Sequence, residues 1–407
     1  MTHDFGEPLV RILVMSFFCL IISFNIFGQR SEIEAPNFQH GLVLENLSSF
    51  GFVQNNNYAI ENISSSNPAS LINFDSALVG ISYQYVSMQN PGWWGDIMHK
   101  RAYPLLPQTF SAVYPLDNLR IGIGINQRYN SLLDFGEMKV RTFAQPEGTG
   151  ETFTAKDETL VIAFSNLYSY SFPSLFRKND LLSLGLQFNL DRMDYLAKIW
   201  HTEEKAGGFK TSFSVGVHYK FEKRLHPGLF EIGFFFEKGS SFKEELKTNN
   251  VSNLVRVDVE NDTSQHLYPA ILPRIFDLII KTPDKINYGF IYSPESMLHF
   301  SLNSRTVYWK KIRSEWQNCS EFSCSAIFDY SKTARFSFGI ISSNPQIIDN
   351  GFYSPEINEN MKAIYVTLGL HIEKYRFIYD LSLADSHNYS GAWRKHTILK
   401  GAIAIKI

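Results

Sequence analysis

The sequence predicts an all-β protein: an antiparallel transmembrane β-barrel of about 14 strands with an N-terminal plug, or hatch, in its lumen. Three observations predict it. From residue 75 onward, long segments alternate apolar and polar residues, the period of a strand with one greasy face. The non-apolar face is rich in glycine and small polar residues (Gly80, Gly122, Gly124, Gly185, Gly216, Gly289, Gly369), which suits a lumen better than a solvated sheet. The connections alternate short and long, the pattern of an even-stranded outer-membrane barrel.

Composition narrows the class. Charged residues are 19%, below the soluble norm of about 25%. Aromatics reach 15%, with 34 Phe and 20 Tyr. A net charge of -2 gives no electrostatic basis for nucleic acid as a partner. After the N-terminus no run of about 20 apolar residues exists to span a bilayer as a helix.

The N-terminus carries Arg11, an apolar stretch from Ile12 to Phe27 and a small residue at Gly28. That is a secretory signal, so residues 1–28 are expected to be removed on export to the cell outer membrane. A polar leader follows over residues 29–66, with too little apolar periodicity for a core of its own. Turn chemistry then centres on Pro68, which fixes φ and lacks an N–H. Residues 29–74 are read as the hatch and 75–407 as the barrel.

Fourteen strands are expected near 75–88, 107–116, 119–131, 157–171, 180–195, 210–222, 228–240, 272–293, 296–310, 322–331, 333–343, 361–373, 374–386 and 394–407. One clean case alternates Phe213, Val215, Val217, Tyr219 and Phe221 with Ser212, Ser214, Gly216, His218 and Lys220. Several exceed 10 residues, against about 5–6 in globular sheets. In a bilayer every backbone group must be paired, which barrel closure achieves. Pro283 predicts a bulge or kink in the 272–293 strand, and 251–260 is placed in a loop. The long connections, 89–106, 132–156, 196–209, 241–271, 311–321, 344–360 and 387–393, would face outside.

Asn67-Pro68-Ala69, followed by Leu71, Phe74 and Asp75 and entry into the first strand, resembles the end of the hatch in the FadL-type outer-membrane transporter family. The Pro-to-Gly segment from Lys281 to Pro294 resembles a recurring strand of that family. The resemblance implies a 14-stranded barrel plugged by its N-terminal segment. It also implies passive uptake of hydrophobic small molecules such as fatty acids, with the hatch as gate. A kinked third strand would open sideways to the membrane lipid. Here the third strand runs from Ile121 to Asn130, with Gly122 and Gly124 able to support a bend. Relatives in this family include secretion-associated barrels of the type IX kind, which bind protein partners instead.

Candidate residues have two readings each. Trp93 and Trp94 would form a ligand gate or part of an interfacial aromatic girdle. His218, Lys220, His299, Arg305, His371 and Arg376, read as lumen-facing, would bind a carboxylate head group or form an interior network holding the plug. Cys319 and Cys324 would form a local disulfide or remain free thiols. Asp385, Ser386, His387 and Ser390 share one loop, too close together to assemble a hydrolase triad. No phosphate loop or zinc-protease motif occurs. The chain is therefore expected to be no enzyme and to use no cofactor or metal.

Overall fold

The computed structural model describes residues 31–34, 61–91, 98–139, 152–176, 178–199, 202–222, 228–245, 247–249, 276–312, 317–344, 363–389 and 395–407. Residues 1–30, Trp93, Trp94 and the segment 251–260 lie outside them.

Strand β1 (Ser31–Glu34) and helix α1 (Glu61–Ser65) come first, then a 3-10 helix at Pro68–Asn73. The wall begins with β2 (Leu78–Pro91), β3 (Met98–Leu116), β4 (Leu119–Lys139), β5 (Thr152–Pro173), β6 (Leu181–Ile199), β7 (Thr202–Glu222) and β8 (Leu229–Glu237). Three short strands interrupt it: β9 (Ser241–Glu245), β10 (Lys247–Asn249) and β11 (Phe276–Lys281). The wall resumes with β12 (Lys285–Glu295), β13 (Leu298–Val307), β14 (Cys319–Ser331), β15 (Ala334–Ser343), β16 (Ala363–Lys374), β17 (Phe377–Asp385) and β18 (Lys395–Lys406). Each wall strand pairs antiparallel with its neighbours, β18 with β2 and β7 with β8, so the 14 strands close into a barrel.

Polarity is inverted relative to a soluble protein. Phe188, Phe213, Phe234, Phe300, Phe338, Leu368 and Leu381 point outward and are exposed. Gln187, Asn189, Asp191, Ser212, Asn287 and Asn303 alternate with such residues and are buried inside. This is the outside-apolar, inside-polar pattern of a membrane barrel. Phe221 stacks on Phe230 at 5.6 Å, and Phe230 on Tyr292 at 4.8 Å, forming an aromatic belt near the short turns.

Two expectations change. The predicted 272–293 strand is broken outright, not kinked. Pro283 cannot donate to the ladder, and the chain crosses itself there: a β-carbon on Gly239 would lie 2.0 Å from the Thr282 carbonyl oxygen. What precedes Pro283 becomes β11, which leaves the wall and joins β9 and β1 in a second, three-stranded sheet. The predicted loops 89–106, 132–156 and 196–209 are instead largely strand: β2 and β3 continue to Pro91 and from Met98, β4 and β5 to Lys139 and from Thr152, and β6 and β7 to Ile199 and from Thr202. Strands β3 to β7 run to 19–22 residues, while β12 to β18 have 9–13. About 10 residues suffice to cross a membrane, so one side of the wall rises well above the bilayer.

Candidate functional site

The hatch sits on a seat of missing side chains. A β-carbon at Gly185 of β6 would lie 2.1 Å from the Ala69 amide nitrogen, and one at Gly216 of β7 would lie 1.9 Å from Asn67 Oδ1. One at Gly124 of β4 would lie 2.3 Å from Ser64 Cβ. Glycine is required at these positions for close approach. Gly122 and Gly124 thus stay in regular ladder and do not bend the strand.

Asn67 caps the 3-10 turn by accepting from the Ala69 amide at 3.0 Å and donates from Nδ2 to the Val217 carbonyl at 3.0 Å. Ser169 donates to the Ala69 carbonyl at 3.1 Å. Asn126 and Gln187 donate to the Ser64 carbonyl at 2.8 and 2.9 Å. Below, Ile63, Leu71 and Phe74 pack with Leu78, Val113 and Leu167 in a buried cluster. Pro68 opens the 3-10 helix, where its missing N–H costs nothing. Asn67→Ala removes a cap and a wall bond together. It is expected to cost about 1–2 kcal/mol locally, read as faster hydrogen exchange at Ala69 and Ser70.

Above the hatch lies a buried charge layer. Arg128 Nη1 donates to both carboxylate oxygens of Asp191 at 2.7 and 2.8 Å and to Ser212 at 2.8 Å, and Nη2 binds Glu237. Lys285 pairs with Glu237 at 3.1 Å and lies 4.7 Å from the Tyr129 ring centre. The signal is a bulge: the β4–β5 register slips between Gln127 and Tyr129, so Arg128 and Tyr129 are both buried. Sequence reasoning missed this layer because its members come from five strands far apart in the chain.

The expected head-group residues are placed differently. His218 Nε2 meets Glu231 at 3.0 Å, and Lys220 meets the same carboxylate at 3.4 Å. His299 faces Asp329 at 3.3 Å, Arg305 donates to Glu321 at 2.7 Å, and His371 Nδ1 meets Asp380 at 2.6 Å. Each is already matched by a wall carboxylate. Arg376 is corrected: it occupies the exposed turn between β16 and β17 and does not face the lumen. The disulfide is corrected too. Cys319 and Cys324 form no disulfide: they sit five residues apart on one strand, separated by roughly 16 Å at strand rise, too far to bridge. Cys319 donates to the Asn344 carbonyl at 2.8 Å instead. Asp385 does meet the His387 ring at 3.0 Å, but it also accepts from Thr397, closing the loop at the top of β17.

The wall has a seam. The β3–β4 ladder spans eight pairs, from Leu116↔Leu119 to Thr109↔Asn126, and ends there. Yet β3 goes on pairing with β2 as far as Met98↔Pro91, and β4 with β5 as far as Lys139↔Thr152. Pro104 and Pro107 of β3 supply no donors, and β3 slips register against β2 beside both. Eight pairs rise about 18 Å at a tilt near 40°, so the strands part within the upper half of an apolar band about 25 Å tall. The seam thus lies between the second and third wall strands, and no kink at Gly122 or Gly124 produces it.

These features define a class: a membrane-spanning β-barrel with residues 61–74 of its own chain packed against the inside of the wall. Within it, the protein is an outer-membrane barrel with the FadL-type fold. A FadL homologue from Pseudomonas aeruginosa matches with a TM-score of 0.57 at 11% identity, over 88% of this chain and 96% of that one. The toluene transporter TodX of Pseudomonas putida matches with a TM-score of 0.56 at 12% identity, over 93% and 99%. At such identity the likeness is one of fold. No protein-family model matches the chain, and neither does any curated protein.

Proposed function

We propose that this barrel lets hydrophobic small molecules, fatty acids among them, cross the outer membrane passively, with the hatch as gate. In this reading residues 1–28 are the signal peptide, 29–74 the hatch and 75–407 the barrel. One observation carries it: the seam begins where the hatch is anchored. Ser64 Oγ lies 3.1 Å from Ser111 Oγ on β3, and its carbonyl accepts from Asn126 on β4, the last paired residue below the seam. Release of α1 therefore frees the two strands that part just above it. A greasy molecule gains by leaving sideways into lipid, because its apolar surface stays out of water.

The test is uptake of oleate and toluene into proteoliposomes. An initial rate of entry at least ~10-fold above that of protein-free vesicles of the same lipid is expected, and no acceleration for either would sink the reading. Co-purification of large protein subunits with an empty lumen would favour a secretion role instead. Deleting residues 29–66 while keeping Asn67 onward should leave a folded barrel with raised conductance in planar bilayers. An unchanged conductance would count against the hatch as gate.

A further inference from the structure

The outer face of the short-stranded wall is not smooth. A groove of about 630 Å³ crosses it from β14 to β18, walled by Phe328, Phe336, Phe338, Leu368 and Leu381, with Ala326 as its low floor. Leu368 and Leu370 on β16 precede Lys374 by six and four residues. At a tilt near 40° they stand roughly 10–15 Å from the turn. The groove therefore lies in the periplasmic half of an apolar band about 25 Å tall and reaches its middle. Below it the rim is cationic. The β14–β15 turn carries Lys332, the β16–β17 turn carries Lys374 and Arg376, and all three are exposed. The Ala334↔Ile372 ladder continues one step, with the Glu373 amide donating to the Thr333 carbonyl at 2.7 Å, which brings Lys332 level with Lys374. The two turns are two strand spacings apart, roughly 10 Å. Nearby, Arg335 and Lys406 are matched by Asp329 and Glu373, but no ion pair among the described residues includes Lys332, Lys374 or Arg376. Like charges side by side across strands destabilise a sheet. Two tyrosines frame them: Tyr330, 68% exposed and 6.4 Å from the Phe336 ring, and Tyr375, 88% exposed. Tyr375 has a φ of 59°, the left-handed region where such a turn favours glycine, so the chain holds a strained aromatic at this rim.

We propose that the groove and its cationic rim form a site for one anionic phospholipid of the periplasmic leaflet, with an acyl chain in the groove and the phosphate between the two turns. Charge selects the occupant. A guanidinium grips a phosphate through paired N–H donors, and lysines add point charge. A phosphate placed there offsets the repulsion between Lys332 and Lys374. Tyrosines suit the headgroup level, since each has an apolar body and a polar tip. An acyl chain fills the concavity and supplies the contacts that an unfilled groove would forfeit. A second copy of the chain fits worse. A two-fold contact through this patch would set Lys332 and Lys374 close to their own copies. The site is on the outside of the wall, so it does not rest on the channel reading above.

The test is native mass spectrometry of the full chain, stripped of lipid in detergent and then given phosphatidylglycerol or phosphatidylcholine with identical acyl chains. Phosphatidylglycerol is expected to be retained at least ~10-fold more than phosphatidylcholine; equal retention overturns the inference. One cation near anionic lipid is worth about 5-fold, so the triple variant Lys332→Gln, Lys374→Gln, Arg376→Gln should lower phosphatidylglycerol retention at least ~10-fold, to the level of phosphatidylcholine. Lys310→Gln, an exposed lysine at the opposite rim, should leave the preference unchanged. An equal fall there would mean that net charge alone acts, and overturns it. Ala326→Trp fills the groove from the lipid side and should lower phosphatidylglycerol retention at least ~5-fold; unchanged retention overturns the groove as the site. Wild-type dimers that phosphatidylglycerol does not disperse would assign the patch to a second copy and overturn it. Heat-modifiable gel migration reports the folded barrel in every variant. None of these residues touches the hatch, so hydrophobic uptake should stay at the wild-type rate. Loss of lipid preference with uptake intact removes this inference alone; absence of uptake with lipid preference intact removes only the channel reading.

Discussion

Gly185→Val is expected to lift the hatch off the wall and convert a closed barrel into a conducting one. A β-carbon there would lie 2.1 Å from the Ala69 nitrogen, 2.3 Å from the Pro68 carbonyl carbon and 2.6 Å from the Ala69 Cα. All three are backbone atoms, so no rotamer change relieves the clash. Overpacking usually costs about 1–3 kcal/mol when side chains can shift. Here the 3-10 helix must move as a body. Moving it breaks the bonds from Asn67 to the Val217 carbonyl and from Ser169 to the Ala69 carbonyl, at about 1 kcal/mol each. It also uncovers Leu71, now 1% exposed. The wall strand itself is unharmed, since the added carbons point into the lumen. Heat-modifiable migration should therefore persist while single-channel conductance rises. The matching control is Gly401→Val on β18, where a β-carbon has nothing nearer than 4.0 Å. Adding Gly185→Val to a 29–74 deletion should change conductance little, because the helix that the valine displaces is then already gone. A strictly additive increase would mean that Gly185 acts elsewhere.

Much of this architecture is legible in the sequence, for reasons that also explain what is not. Alternation places a strand because every second side chain must meet lipid. Each of the 14 expected segments overlaps one wall strand. Strand ends were underestimated for β3 to β7, since strands standing above the bilayer need no apolar face. The pairing of His371 with Asp380 was within reach; that of Arg305 with Glu321 was not. Both pairs are directly opposite in register, and for His371 and Asp380 the tight turn between Lys374 and Phe377 fixes that register; Arg305 and Glu321 are joined only through the long connection 308–318, which leaves it open. The glycine seat was legible only as a small-residue lumen face. Which glycine meets which hatch atom depends on how the plug docks across β4, β6 and β7. Pro283 announced a disturbance. That the chain there turns inward depends on Gly239 and Asp284 meeting across the crossing.

Arg128→Met is expected to be the most destabilising single change in the lumen. Arg128 is 4% exposed and Asp191 is fully buried, so removing the guanidinium strands a carboxylate without its counter-charge. Breaking a buried pair on one side typically costs about 3–5 kcal/mol. Much of that is the desolvation of the partner left behind rather than the value of the pair itself. The distinction is testable. Arg128→Met with Asp191→Asn removes both charges and leaves Glu237 facing Lys285 at 3.1 Å, a balanced pair. The double variant should recover at least half of the loss, measured as the midpoint of thermal or urea unfolding of the detergent-solubilised barrel. The single variant should also admit water, because a bare carboxylate in the lumen draws its own hydration. Its conductance should rise even though the hatch keeps every bond to Asn126 and Gln187. A single variant as stable as wild type, or a double variant no better than the single, would mean that Arg128 is not what balances this layer.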